Sequence, residues 1–378
     1  MDARTWWRMA AWLGPWRGKR KAPRRVWVDD FSIQLRGERQ LALRWYAPQS
    51  QCRGAYLIAP GFNWRGYDDP RMDRFCRVLA HSGFAVLSPA LSDYVAMRMR
   101  PEVGDDLEAA FRWMLAHPSI THQTPIVLFS VSFGALPAAQ LLAHSTVADR
   151  INHVVFFGGY ANWLETVGFC LTGMLHGQVR HPYDPLTRPV VFWNTLPWWD
   201  EATLDTQRVV ERWRRFVRAT WTDERYKQRR LHAPIAKALA AGLANPEREL
   251  FVQGCGLVSG REGTCMRALE RQARECGGLD VRHYLPAVQC PVTVVHGRDD
   301  DVIPFEQGQA LLESLPRTVP RRFYGTRLYG HSALRSTMAS AGAALMHEAA
   351  TLASLLDSLA RPPGIAAETG QRYERSGP

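Results

Sequence analysis

PIVLFSVSFGALPAAQ, residues 125–140, changes character halfway through. Its first half is an apolar run of the length of a buried strand. From Phe133 onward small and apolar residues follow one another in a helix-like run. Two serines, Ser130 and Ser132, stand at the junction. A tight strand-to-helix turn needs small residues, so their presence alone makes neither a nucleophile. The choice depends on what the rest of the chain supplies.

Working outward, RVWVDDFSIQL (25–35) and LALRWYA (41–47) are two β-rich runs around Arg36-Gly37-Glu38, the pattern of an antiparallel hairpin. An alternation follows. GAYLIAP (54–60), FAVLSPAL (84–91), PIVLFSV (125–131) and NHVVFFGG (152–159) read as buried strands. Between them lie helices: residues 69–83 with Met72, Phe75, Cys76 and Leu79 on one face, residues 102–118 with Leu107, Phe111, Met114 and Leu115 aligned, and residues 133–144. Strand and helix in strict alternation predict a mostly parallel sheet covered on both faces, an α/β architecture.

The rhythm stops near residue 160 and resumes at CPVTVVHG (290–297). The intervening residues have helical periodicity and carry six tryptophans, 163, 193, 198, 199, 213 and 221. Residues 207–230 hold nine cationic and three acidic side chains. So long a segment is no loop, and an inserted helical subdomain is expected. The division read from the sequence is a basic tail over 1–25, core over 26–160, helical insertion over 161–289, core over 290–360 and a disordered tail over 361–378. The second core block holds a helix in 304–315, a short run at 322–331 and a last helix aligning Leu345, Leu352, Leu356 and Leu359.

The formal net charge is +11, but residues 1–25 contain eight Lys/Arg against one Asp. The excess lies mainly outside the expected core, which argues against a nucleic-acid reader. Residues 4–16, RTWWRMAAWLGPW, form a short amphipathic helix pattern with Trp6, Met9, Ala10 and Leu13 on one face. Trp beside a polybasic run suits weak peripheral contact with a membrane; the other reading is a tail docked on the body. The seven cysteines contain no CxxC pair, so neither a disulfide framework nor a zinc site is expected. Free thiols, no membrane span and no signal-peptide pattern lead to the expectation of a soluble cytoplasmic protein.

Ser130-Val131-Ser132-Phe133-Gly134, between a buried strand and an apolar helix, resembles the GxSxG nucleophile elbow of the α/β-hydrolase family, with Ser for the first Gly. VTVVHGRDDDVIP (292–304) is similar to that family's HGxxDxxVP segment and selects Asp300 over its neighbours Asp299 and Asp301; Glu165 is an alternative acid. LYGHSAL (328–334) places His331 last, in the family's Ser, Asp, His order. The resemblance covers about residues 25–160 and 286–360.

It implies the α/β-hydrolase fold, with a serine hydrolase triad of Ser132, Asp300 and His331 under an inserted helical cap. Backbone amides of Phe133 and of Phe62, in APGFNWRG (59–66), would form the oxyanion hole, although Pro60-Gly61 replaces the usual HG pair. The implied substrate is a small molecule with an ester-type acyl bond, cleaved through an acyl-enzyme without metal or organic cofactor. Thioesterase, amidase and acyltransferase chemistry share this machinery, and a non-catalytic binding module keeps the fold without it. The insertion's tryptophans either line an acyl pocket or form its core. Its basic helix either meets an anionic substrate or faces solvent.

Overall fold

The computed structural model describes residues 3–13, 22–49, 52–180, 182–200, 206–221, 223–227, 231–327, 351 and 353–359. The expected tail over 361–378 and the leucines at 345 and 352 lie outside these residues.

Ten strands form among the described residues: β1 (Trp27–Gln34), β2 (Gln40–Ala47), β3 (Ala55–Ala59), β4 (Ala85–Pro89), β5 (Ile126–Val131), β6 (His153–Phe157), β7 (Met174–Leu175), β8 (Gln178–Val179), β9 (Val292–Gly297) and β10 (Arg321–Thr326). Eight make one sheet in the order β1-β2-β4-β3-β5-β6-β9-β10. β2 runs antiparallel to both neighbours, and the other pairs are parallel. The hairpin expected over residues 25–47 is β1 and β2, turned at Gly37 with φ +76°. The middle strands β3 and β4 are buried along their whole length, which is why their sequences run apolar without alternation. In the β3–β5 register Ala59 faces Ser130, so the loop after β3 and the turn after β5 leave the sheet side by side.

Helix α1 (Ala3–Leu13) lies in the N-terminal segment, and α2 (Pro70–His81), α3 (Ser92–Val95), α4 (Val103–Ala116) and α5 (Ala135–His144) belong to the first core block. α2 starts where the Asp69 carboxylate accepts from the Arg71 amide at 2.9 Å and Pro70 takes the first position, where a missing N–H costs nothing. One face of the sheet packs on α4, α5 and the inserted helices; the other packs on α1, α2 and residues 353–359. There Leu355, Leu356 and Leu359 are buried, and Tyr56 donates its hydroxyl to the Leu359 carbonyl at 2.5 Å.

The N-terminal helix is docked. Met9 and Ala10 are buried in the same cluster as α2, and the Trp6 indole donates to the Ala353 carbonyl at 3.4 Å. The apolar face that suggested a membrane contact is thus turned inward at Trp6, Met9 and Ala10, while Trp7 is 66% exposed. No helix among the described residues is long and apolar enough to cross a membrane.

Between β6 and β9 lie α6 (Trp163–Thr172), α7 (Arg188–Thr195), α8 (Gln207–Thr220), α9 (Ala233–Ala240), α10 (Glu247–Gly254) and α11 (Glu262–Cys276). The insertion is not wholly helical, as the periodicity suggested. β7 and β8 form a small hairpin whose turn residues His176 and Gly177 both have positive φ, 51° and 76°, matching the twist of a two-residue hairpin. Its tryptophans are largely core. Trp163 and Trp213 are fully buried, and Trp213 lies so close to Gly254 that a methyl there would sit 2.5 Å from the indole. α12 (Phe305–Glu313) follows β9. All seven cysteines are free thiols, as expected.

Candidate active site

β5 ends at Val131 in extended conformation, and Ser132 then turns to φ +55°. Left-handed backbone is unfavourable for a residue with a Cβ, costing about 1 to 3 kcal/mol, and persists where neighbours enforce it. Here the neighbours are backbone. A methyl at Gly134 would lie 2.2 Å from the Ala59 carbonyl oxygen, and one at Gly61 would lie 3.3 Å from the Ser132 Cβ. Only residues without side chains let the turn and the loop after β3 approach this closely. A 3-10 turn over Ser132–Gly134 leads directly into α5.

The two serines therefore occupy different environments. Ser130 is inside β5, fully buried, with no hydrogen-bond partner for its hydroxyl among the described residues. Ser132 is at the apex of the turn, at the carboxyl end of the strand, where parallel sheets place their chemistry.

Phe133 follows Ser132 in the first turn, where amides have no intrahelical acceptor. The ring of Phe62 lies 5.8 Å from that of Phe133, so the two residues expected to supply oxyanion donors are neighbours. Tyr94 holds both: its hydroxyl donates to the Phe133 carbonyl at 2.7 Å, and its ring packs 5.2 Å from Phe62. Burial raises the Tyr94 phenol well above its usual range, which keeps it a proton donor. Nothing in the local sequence pattern singled out Tyr94. The loop beyond Phe62 is braced by Asn63, which donates to the Asp69 carboxylate at 2.7 Å and accepts from the Arg65 amide at 2.9 Å.

Asp300 follows β9, two strands from the elbow in the sheet order. Of the three consecutive aspartates it alone is buried, at 6% exposure. Its Oδ1 accepts from the amides of Val302 and Ile303 at 2.9 and 2.8 Å. Its Oδ2 lies toward Gly158 at the end of β6: a methyl there would be 3.7 Å away. Two amides on one oxygen fix the Asp300 rotamer. Beneath it, buried His296 meets the Ile303 carbonyl through Nε2 at 2.9 Å and stands 3.7 Å from Oδ2. His331 lies outside the described residues.

Glu165, the alternative acid, is engaged elsewhere. Its carboxylate pairs with His176 at 2.6 Å and accepts from Gln307. Gln307 is a further residue that the pattern left unnoticed. Its Oε1 accepts from the amides of Ala161 and Asn162 at 3.2 and 2.8 Å, which ties α12 to the start of the insertion. No cluster of His, Cys, Asp and Glu suited to a metal ion occurs among the described residues.

No protein-family model matches the chain, and a search of curated proteins found no match. Solved structures do resemble it. Brefeldin A esterase, described as a bacterial homologue of human hormone sensitive lipase, is 14% identical over 94% of this chain and 84% of its own, with a TM-score of 0.51. Acylaminoacyl peptidase of Pyrococcus horikoshii is 10% identical over 91% of this chain, with a TM-score of 0.47; the present chain spans 43% of that protein's length. An esterase of Pyrococcus furiosus is 14% identical over 80% of this chain and 82% of its own, with a TM-score of 0.45. The sheet order and the first of these likenesses identify the α/β-hydrolase fold.

Proposed function

We propose that the chain is a serine hydrolase that cleaves a carboxylic ester or related acyl bond through an acyl-enzyme. The observation that carries this reading is the left-handed conformation of Ser132 at the turn between β5 and α5, held by backbone contacts at Gly134 and Gly61. A binding scaffold has no use for that strain, whereas a nucleophile gains exposure of its Oγ at the end of the sheet.

A serine hydroxyl is a weak nucleophile at neutral pH and needs a base. In this reading His331 takes the Ser132 proton as Oγ attacks the acyl carbon, and the buried Asp300 carboxylate orients the imidazole and stabilises the imidazolium. The carbonyl electron pair moves to oxygen, and the Phe133 and Phe62 amides donate hydrogen bonds to the resulting oxyanion. Collapse of that intermediate expels the alcohol, which takes its proton from His331. Water then attacks the acyl-Ser132 ester by the same route in reverse roles, and the acid is released. Thioester, amide and transfer chemistry would use the same groups; the insertion selects among them.

A fluorophosphonate probe with mass-spectrometric mapping tests the assignment. Wild type and Ser130→Ala are labelled at residue 132, and Ser132→Ala is not. Labelling that survives Ser132→Ala, or is lost only with Ser130→Ala, overturns it.

A further inference from the structure

A cavity of about 260 Å³ opens between the loop after β3, the segment after α3, and helices α7 and α8. Its walls include Trp64, Arg98, Trp193, Arg214 and Arg218, with Glu211 as the one carboxylate among the described lining residues. We infer that this cavity is an anion-binding subsite, which receives a carboxylate or phosphate carried at the far end of the substrate. The inference rests on the hydrolase reading for the word substrate. The anion site itself rests only on the cavity.

Charge bookkeeping comes first. Arg39, Arg44, Arg71, Arg77, Arg112, Arg188 and several further arginines lie within 4 Å of a carboxylate. Arg98, Arg214 and Arg218 have no such partner among the described residues, and Glu211 is paired with Arg215 at 3.3 Å. Arg214 and Arg218 are one turn apart on α8, a like-charge spacing that is destabilising on a helix. Three guanidiniums against the Glu211 carboxylate leave the potential positive, with Arg98 and Arg218 exposed to solvent and Asp93 within electrostatic reach of Arg98. An anion entering the cavity offsets that repulsion, and guanidinium is the side chain best shaped to hold carboxylate or phosphate through paired N–H donors.

The cavity is also built. Met97 has φ +57°, and its carbonyl accepts from the Trp193 indole at 2.9 Å and from the Asn194 amide group at 3.0 Å. The Asn194 oxygen in turn accepts from the Met99 amide at 2.9 Å. Arg98 is therefore anchored on both sides to α7. Trp64 lies under two guanidiniums, Arg65 at 4.8 Å and Arg218 at 5.9 Å from its ring centroid, contacts that hold cations over an aromatic face. With the Trp193 nitrogen already bonded, the indoles offer apolar surface to a carbon chain and leave the charge to the arginines.

The site is joined to the candidate chemistry through the same two segments that hold the oxyanion donors. Trp64 follows Phe62 by two residues. Val95 follows Tyr94, the residue bonded to the Phe133 carbonyl. The volume corresponds to roughly nine waters at about 30 Å³ each, room for a short chain with a compact anionic terminus and not for a long acyl tail.

The test compares aryl pentanoate, the mono-aryl ester of glutaric acid and the aryl ester of 4-phosphonobutyric acid as substrates. Wild type is expected to favour at least one anionic ester over pentanoate by tenfold or more in kcat/KM, with the two anionic arms separating carboxylate from phosphate. The preference collapses toward unity in Arg214→Gln/Arg218→Gln and shrinks as salt rises. Equal kcat/KM for all three esters in wild type overturns the subsite and leaves the hydrolase reading intact. Calorimetric titration of Ser132→Ala with glutarate and with inorganic phosphate is independent of turnover. Binding there that is lost in Ser132→Ala/Arg214→Gln/Arg218→Gln supports the subsite even if no ester is hydrolysed. Absence of binding by both anions overturns it, also where the double arginine variant fails to fold.

Discussion

The hydroxyl of Tyr94 and the carbonyl oxygen of Phe133 are 2.7 Å apart, a buried bond across 39 residues that fixes the Phe133–Gly134 peptide, the second after the candidate nucleophile. Freeing that peptide would loosen Phe133 as a whole, and with it the amide on its other side that would meet the oxyanion. Tyr94→Phe keeps the ring contact with Phe62 and removes only the bond. An intramolecular hydrogen bond contributes about 1 kcal/mol net, so kcat for an aryl ester should fall roughly fivefold with KM little changed. Steady-state kinetics beside a melting curve checks this; unchanged kcat refutes it.

Ser132 is the second case. At φ +55° a glycine is at ease and an alanine is not. Ser132→Gly should be more stable than Ser132→Ala by about 1 kcal/mol, and neither should react with the probe. Urea denaturation of the two proteins gives the comparison. Equal stability would mean that the turn relaxes to ordinary backbone.

Gly134 and Gly37 separate close approach from mere dihedral freedom. Both are glycines in turns, but a methyl at Gly134 would meet the Ala59 and Pro60 carbonyl oxygens at 2.2 and 2.8 Å, whereas nothing lies within 4 Å of one at Gly37. Gly37→Ala pays only the left-handed strain, about 1 kcal/mol, and should keep full activity. Gly134→Ala forces strand β3 and the turn apart. It should lower the melting temperature further and lose at least a hundredfold in kcat/KM.

His153 links β6 to β9, with Nε2 2.9 Å from the Thr293 hydroxyl, and is buried. Burial, with the charge of Arg322 adding to it, lowers its pKa to about 4 from the usual 6.5. The folded state therefore disfavours the proton that the unfolded chain accepts. The neutral imidazole's contribution is complete above pH 6.5, declines as pH falls toward 4, and is constant below that. Relative to His153→Gln, the wild-type unfolding free energy should fall by about 2 kcal/mol between pH 7 and pH 5. Parallel denaturant titrations at the two pH values decide it; a difference independent of pH excludes a buried neutral His153.

Much of this architecture follows from short-range pattern. Short, mostly apolar runs without polar alternation marked β3 through β6 and β9, because a strand covered on both faces has no polar side. The elbow showed as Ser130-Val131-Ser132-Phe133-Gly134 because a strand turning straight into a helix demands small residues within a five-residue window. The two-residue strands β7 and β8 carry too few side chains for any period, and the insertion therefore read as purely helical.

Local sequence thus determined the elements, the alternation that makes the sheet parallel, and the residue types at the candidate site, since periodicity and steric demand act within a few residues. Only the tertiary structure decided that β4 lies between β2 and β3, that Tyr94 braces Phe133, and that Arg98 meets Arg214 and Arg218 across one cavity. Those relations join positions from 30 to more than 100 residues apart. They arise when layers pack and burial chooses partners, and no window of the chain contains both members.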